Sequence, residues 1–154
     1  MGNDWFKFML ESNQIEGEDR INPGDEKAFD FAVSGIKGLR HITDIHQILG
    51  AYLKKPWVGR FRDCAVTVGG HSCPHHTELV ELMVEYVANL DDMDSWTAHN
   101  EFEKIHPFQD LNGRTGRLIW VSKAIDEGYD FSIPFLQKYY YQTLTQYERS
   151  IIIP

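Results

Sequence analysis

Apolar residues recur at helical spacing over most of the chain, and this pattern predicts a mostly helical protein. The clearest case is residues 77–90, where apolar side chains return every three or four positions from Leu79 to Leu90. The same spacing predicts further helices over residues 4–15, 25–37, 43–53, 95–105 and 134–149. One more helix, which we expect to end at Gly128, is apolar nearly all round, as is typical of a helix in the middle of a bundle.

Residues 56–70 break the helical pattern. Pro56 and the pair Gly69-Gly70 bracket them, and the β-favouring run Val66–Val68 lies between. We therefore expect a small hairpin at about residues 57–70, followed by a turn at residues 71–76. The chain contains no repeats and no linker, so the predicted fold class is all-α with one hairpin, in a single domain spanning residues 1–154.

Size and charge restrict the functions open to the chain. Its 154 residues suffice for one domain with its own core. A formal net charge of −8 argues against a general binder of nucleic acids or anionic membranes. The N-terminal segment is too polar for a secretory signal, and no apolar run is long enough to span a membrane. We expect a cytoplasmic protein whose two cysteines, Cys64 and Cys73, are free thiols.

Residues 106–117, HPFQDLNGRTGR, concentrate the chemistry of the chain. Two guanidiniums, Arg114 and Arg117, lie one helical turn apart, directly before an apolar run. Arginine forks and the backbone N–H groups of a helix N-terminus favour a bound anion, of which phosphate is the foremost candidate. His106 adds a base and Asp110 a metal ligand, so this segment is interpreted as a phosphate-handling active site.

This segment resembles the signature of the Fic (Fic/Doc) family, HPFx(D/E)GNGRxxR. Eight of its twelve positions are identical: His106, Pro107, Phe108, Asp110, Asn112, Gly113, Arg114 and Arg117. The resemblance extends to residues 59–71, which are similar to the family's flap hairpin, and to residues 98–108, which are similar to the helix before the signature. Residues 12–17 resemble the family's inhibitory motif, (S/T)xxxE(G/N).

The resemblance implies a Fic-type helical bundle that acts as a protein adenylyltransferase. Such an enzyme moves AMP from ATP to a Ser, Thr or Tyr hydroxyl of a target protein and releases pyrophosphate. By the same resemblance, His106 would take the hydroxyl proton, Asp110 would hold Mg²⁺, and Phe108 would anchor the loop. The residues implied in nucleotide binding are Asn112, Gly113, Arg114, Arg117, Tyr140 and Tyr141.

Regulation and partner binding are also implied by the resemblance. Glu16, within the motif formed by Ser12, Glu16 and Gly17, would pair with Arg117 and block productive placement of the γ-phosphate. The target protein would add a strand beside the flap residues Ala65, Val66, Thr67 and Val68. Neither a nucleic acid nor a membrane is an expected partner, and the sequence leaves open a homodimer.

Three positions depart from the family pattern. Leu111 stands where the signature has glycine, and a positive φ there would strain a leucine by roughly 1 kcal/mol. Leu136 and Gln137 stand where many relatives carry an Asn-Arg pair before two tyrosines. The alternatives left open are transfer of UMP or a phosphoryl group, removal of AMP, or a nucleotide-binding module with little turnover.

A second cluster of metal-binding side chains occurs next to the flap. His71, Cys73, His75 and His76 lie within six residues, but no second ligand pair elsewhere completes a zinc site. We interpret this stretch as a solvated turn.

Overall fold

The structure, a computed structural model, describes residues 4–129. Residues 22–129 form one compact unit, and residues 4–21 belong to a second one. The helix predicted at residues 134–149 lies outside the described residues, and the single-domain organisation over residues 1–154 stays a prediction. No helix within residues 4–129 is long and apolar enough to cross a membrane.

Residues 4–21 contain helix α1, Asp4–Ile15, with the predicted bounds. Phe8, Ser12 and Ile15 are buried and share one helix face. The helix ends in a tight turn in which the N–H groups of Glu16 and Glu18 both donate to the Asn13 carbonyl at 2.9 Å. The segment that resembles the inhibitory motif therefore extends across a helix C-terminus.

The larger unit consists of five helices and one hairpin among the described residues. The helices are α2 (Asp25–Val33), α3 (Leu39–Gly50), α4 (Leu79–Asn89), α5 (Ser95–Ile105) and α6 (Asn112–Asp126). Helix α6 packs against α2, α3 and α5, and eleven of its fifteen residues are buried. Its predicted central place and its end before Gly128 are confirmed, as is the fold class.

The core of this unit lies between α3, α4, α5 and α6. Its buried members are Ile42, Met83, Tyr86, Leu90, Ala98, Phe102, Phe108 and Ile119. Burying one large apolar side chain of this kind stabilises the fold by about 1.5–3 kcal/mol. Phe108 is the only member from the loop between α5 and α6 among these eight, so the loop is anchored directly in the core.

Two predicted helix boundaries are wrong. Helix α2 ends at Val33 rather than residue 37, because Gly35 adopts a left-handed conformation with φ of 95°. Helix α3 begins at Leu39 rather than Thr43, because the Thr43 hydroxyl donates to the Arg40 carbonyl within the helix instead of capping it. The end of the predicted segment 43–53 is a short 3₁₀ turn, Ala51–Leu53.

The hairpin exists, but its predicted position is shifted. Strands β1 (Thr67–Val68) and β2 (His71–Ser72) pair antiparallel, with Thr67 opposite Ser72 and Val68 opposite His71. Gly69 and Gly70 have φ values of 55° and 82°, as a two-residue hairpin turn of type I′ requires. The glycine pair is thus the turn itself and not the end of the hairpin, and β2 occupies residues that were expected to form a turn.

Candidate active site

His106 follows the last residue of α5 and adopts a left-handed conformation, with φ of 50° and ψ of 60°. Its N–H still donates to the Phe102 carbonyl at 2.9 Å, and the left-handed conformation ends the helix at this residue. Its imidazole Nδ1 lies 3.5 Å from Oε2 of Glu103, one helical turn earlier. This distance is longer than an ordinary hydrogen bond, so the contact is mainly electrostatic.

Glu103 is the nearest charge partner of His106. Burial alone would raise the pKa of Glu103, but its interaction with His106 and the nearby His99 and Arg117 lower that pKa below the usual range. The carboxylate therefore remains ionised at neutral pH. Gly116 on α6 leaves room for it, because a Cβ at that position would lie 2.7 Å from Oε1 of Glu103.

The loop between His106 and α6 is closed by Asn112. Its side-chain oxygen accepts a hydrogen bond from the Phe108 N–H at 2.9 Å, and its Nδ2 donates to the Phe108 carbonyl at 2.8 Å. Both ends of the amide therefore hold the backbone of the loop in place. The contribution of Asn112 to nucleotide binding stays a prediction.

Leu111 precedes α6 with φ of 66° and ψ of 16°, so the condition for strain at this position is met. The side chain is only 5% exposed. It packs beside Gly50, where an added Cβ would lie 3.0 Å both from the Leu111 Cδ1 and from the Val58 methyls. Because leucine has no polar side-chain atom, it does not cap the first N–H groups of α6.

Asp110 is exposed, and its Oδ1 accepts a hydrogen bond from the Leu111 N–H at 2.7 Å. Within residues 4–129, no group of three or more His, Cys, Asp or Glu side chains is placed to hold a metal ion. Mg²⁺ in nucleotide enzymes commonly takes one or two carboxylates and completes its coordination with phosphate oxygens and water. A single exposed carboxylate, four residues before Arg114 in the chain, fits that requirement.

Arg114 and Arg117 are carried by the first turns of α6 and are 9% and 1% exposed. Three residues apart on one helix, they share a face. The positive end of the helix dipole adds to their charge, and this combination attracts an anion. The charge of Arg117 also lowers the pKa of both His99 and Glu103, although burial is the larger cause for His99.

His46 is a contributor to the site that the sequence did not reveal. Its ring stacks on Phe108 at 3.7 Å between centroids, with 7° between the planes. Nδ1 accepts a hydrogen bond from the Gly59 N–H at 2.9 Å, so Nε2 carries the proton and donates to the Asp110 carbonyl at 2.9 Å. Burial lowers the pKa of His46 to about 4, although the Asp110 carbonyl and carboxylate partly oppose this shift. His46 shares the inner face of α3 with Ile42 and Leu49, and this spacing is the sequence signal that could have indicated its burial.

The flap residues named from the sequence lie at or before β1. Ala65, Thr67 and Val68 are exposed, and Val66 is half-buried. The Val66 carbonyl accepts a hydrogen bond from the Cys73 N–H at 3.2 Å, so the pairing continues for one residue before β1 and one residue after β2. In a two-stranded sheet each strand keeps one outer edge, so an added strand has an edge to pair with.

The predicted inhibitory residues and the two predicted tyrosines lie outside residues 22–129. Ser12 is buried, whereas Glu16 and Gly17 are exposed, and all three belong to the other unit. The pairing of Glu16 with Arg117 stays a prediction. Tyr140 and Tyr141 lie outside the described residues.

Comparison with known proteins points to one family. The model of the Fic/DOC family matches residues 36–122. The chain is 33% identical over 136 residues to "Protein adenylyltransferase Fic" of Drosophila melanogaster, an alignment that covers 80% of this chain and 26% of that protein. It is 32% identical over 100 residues to the protein of the same name from Aedes aegypti, covering 59% of this chain and 20% of the relative. The chain thus spans about a quarter or less of the length of these curated relatives.

Two solved structures have a similar fold. A Fic family protein from Desulfovibrio desulfuricans G20 matches with a TM-score of 0.67 at 20% identity, covering 80% of this chain and 48% of that chain. A Fic domain containing signaling protein from Bacteroides thetaiotaomicron VPI-5482 matches with a TM-score of 0.67 at 21% identity, covering 93% of this chain and 70% of that chain. At these identities the likeness concerns the fold alone.

Proposed function

Because this chain belongs to the Fic/DOC family, we propose that it is a protein adenylyltransferase, which moves AMP from ATP to a Ser, Thr or Tyr hydroxyl of a target protein and releases pyrophosphate. The observation that carries the proposal is the turn from α5 to α6. A base, His106, ends one helix, and two buried guanidiniums, Arg114 and Arg117, begin the next. The curated relatives aligned over up to 80% of the chain carry the name of this activity.

The base in this reaction would be His106. Because Nδ1 faces the Glu103 carboxylate, Nε2 is the nitrogen left to take the proton of the target hydroxyl. The hydroxyl oxygen then forms a bond to the α-phosphorus, and the bond from that phosphorus to pyrophosphate breaks. The ionised Glu103 stabilises the imidazolium produced by the proton transfer, as a carboxylate does in other acid–base pairs.

The charge that builds on pyrophosphate would be balanced by Arg114 and Arg117. Buried, fixed donors stabilise such charge more strongly than solvated ones do. Asp110 would hold Mg²⁺, which supplies further positive charge to the phosphates when it is bound. Asn112 keeps the loop that carries these groups in shape.

The proposal includes inhibition by Glu16. This carboxylate directly follows the C-terminus of α1, where the helix dipole disfavours negative charge. The helix dipole therefore does not favour a glutamate at this position, and an inhibitory role gives a reason for it. A carboxylate paired with Arg117 would compete for the γ-phosphate, because bidentate pairs of arginine and carboxylate are strong.

Radiolabelled ATP tests the activity and its inhibition together. With label at the α-phosphate, Glu16→Gly should label proteins of a cell extract, or the chain itself, at least about tenfold faster than the wild type. Glu18→Gly, two residues away, is the matched control and should behave like the wild type. Labelling from γ-labelled ATP instead would point to phosphoryl transfer, and equal labelling by Glu16→Gly and wild type would refute inhibition by Glu16.

The second candidate function is a nucleotide-binding module with little turnover. The observation that favours it is Leu111, which holds the left-handed position that the family signature gives to glycine. The discriminating variant is His106→Ala in the Glu16→Gly background. If the Glu16→Gly parent labels proteins and the double variant binds ATP but labels nothing, the chain is an enzyme. If the parent and the double variant both bind ATP and neither labels any protein, the chain is a binding module.

A further inference from the structure

Arg62 is a buried arginine whose guanidinium contacts only backbone carbonyls among its described hydrogen bonds. Arg62 as a whole is only 3% exposed. Nε donates to the His106 carbonyl at 2.8 Å, and Nη2 makes a longer contact of 3.4 Å to the Ile105 carbonyl. Nη1 donates to the Cys64 carbonyl at 2.9 Å, and Nη2 also donates to the Pro74 carbonyl at 2.7 Å.

The end of α5 explains why a cation is stable here. The carbonyls of Ile105 and His106 belong to the helix C-terminus, where carbonyl groups lack intrahelical donors and carry the negative end of the dipole. The guanidinium of Arg62 has lost its water on burial, and these carbonyls accept the hydrogen bonds that water would otherwise accept. The backbone N–H of Arg62 adds a further bond, to the Pro107 carbonyl at 2.9 Å.

The same guanidinium also holds both sides of the hairpin. Cys64 precedes β1, and Pro74 follows β2. Their carbonyls therefore lie on the two arms of the hairpin, on either side of the turn at Gly69-Gly70. A guanidinium is planar and its donors have fixed directions, whereas an ammonium is a point charge on a flexible chain. The planar group therefore suits a position that joins the base of the hairpin to the His106 backbone.

We propose that Arg62 is a positioning residue that holds the target-binding hairpin and His106 in a fixed relation to each other. The inference rests on the proposed function, in which the target strand docks on the hairpin and His106 is the base. A hydroxyl on a strand added to the hairpin is then brought to a set distance from the imidazole. Without the Arg62 guanidinium, the hairpin and His106 are both present but no longer held in this relative position.

Kinetics of Arg62→Lys in the Glu16→Gly background test the proposal, with the exposed Arg60→Lys as matched control. A misplacement of about 1 Å can cost up to roughly a hundredfold in rate. We expect kcat for labelling from α-labelled ATP to fall about tenfold to a hundredfold, whereas the Kd for ATP stays within about twofold. Arg60→Lys should match its parent. Labelling by Arg62→Lys at the parental rate would overturn the proposal.

Amide hydrogen exchange gives a readout that does not need activity. In Arg62→Lys, amides of residues 65–73 and the His106 amide should exchange faster together, whereas those of α2 should not change. Faster exchange in the hairpin with an unchanged His106 amide would refute the coupling. If the parent transfers no α-label, the proposed function fails and exchange alone decides the role of Arg62. Arg62→Gln, neutral and able to donate, replaces the lysine variant if that variant does not unfold cooperatively.

Discussion

Two opposed contributions to stability meet in the Leu111 side chain. A left-handed leucine costs roughly 1 kcal/mol relative to glycine. Its nearly complete burial beside Gly50 and Val58 contributes about 1.5–3 kcal/mol. Packing therefore outweighs strain, which explains how a leucine is accommodated at a position that suits glycine.

We predict that Leu111→Gly destabilises the protein by about 1–2 kcal/mol, although glycine suits the backbone better. Leu111→Ala should cost about 1 kcal/mol more than Leu111→Gly, because alanine loses the packing and keeps the strain. Urea unfolding of the three proteins measures both differences. A glycine variant as stable as the wild type would show that the packing of this leucine contributes little.

The Glu103 carboxylate is predicted to support catalysis through its charge. Glu103→Gln preserves shape but removes the negative charge beside Nδ1 of His106, so the imidazolium loses stabilisation. We expect kcat in the Glu16→Gly background to fall by roughly tenfold to a hundredfold, with ATP affinity unchanged. Glu101→Gln, on the same helix and paired with Lys104, is the control and should keep the parental rate. A drop of similar size in the control would argue for a general effect on α5.

Local and long-range determinants differ in how far the sequence reveals them. The spacing within residues 106–117 predicted the base, the metal ligand and the two arginines, because these residues are close along the chain. His46 and Arg62 were missed as parts of the site, since their partners Asp110 and His106 lie 64 and 44 residues away. A buried histidine and a single arginine in a loop carry no pattern that announces such partners.

At the scale of elements, boundaries set by local caps were predicted well. Helix α5 begins after Asp94, whose Oδ1 accepts from the Thr97 N–H at 2.7 Å, and α6 ends before Gly128. The start of α3 was misplaced because Thr43 bonds within the helix rather than capping it. The hairpin was misplaced because a Gly-Gly pair can end a segment or form its turn, and the sequence of β2 has no strong strand preference.

The contact between α5 and α6 depends on Gly116. A Cβ there would lie 2.7 Å from Oε1 of Glu103, 3.0 Å from Nδ1 of His99 and 3.1 Å from Cδ1 of Phe102. Alanine would gain up to about 1 kcal/mol in helix propensity, but side chains in this buried contact would have to shift. The two helices can approach this closely only because the position has no side chain.

We predict that Gly116→Ala lowers the free energy of unfolding by about 1–2 kcal/mol and moves the Glu103 carboxylate away from His106. The labelling rate in the Glu16→Gly background should fall with it. Thermal unfolding and the labelling assay, carried out on the same preparation, measure both effects. A variant more stable than its parent would contradict this prediction, because it would show that α5 and α6 accommodate the added methyl group without loss of packing.

At the scale of the whole larger unit, His46 makes stability depend on pH. It connects α3, the segment around Gly59 and the loop before α6 through two hydrogen bonds and a stacked ring. The bond from Gly59 requires the neutral ring, because a protonated Nδ1 would face the Gly59 N–H as a second donor, whereas the bond from Nε2 to the Asp110 carbonyl is kept in both forms. Protonation therefore breaks the bond to Gly59 and places a charge in a buried position.

The sign of this dependence follows from the direction of the pKa shift. Folding lowers the pKa of His46 from 6.5 to about 4, so the unfolded chain binds its proton more tightly. The stabilisation is fully present above pH 6.5 and is lost as the pH falls toward about 4, by up to about 3 kcal/mol. His46→Gln keeps a donor and an acceptor but does not titrate, so its free energy of unfolding should fall less steeply over this range. Urea titrations at several pH values between 4 and 7 give both slopes, and since His99 and Glu103 titrate in both proteins, the difference between the slopes belongs to His46. Equal slopes would show that His46 keeps an ordinary pKa in the folded protein.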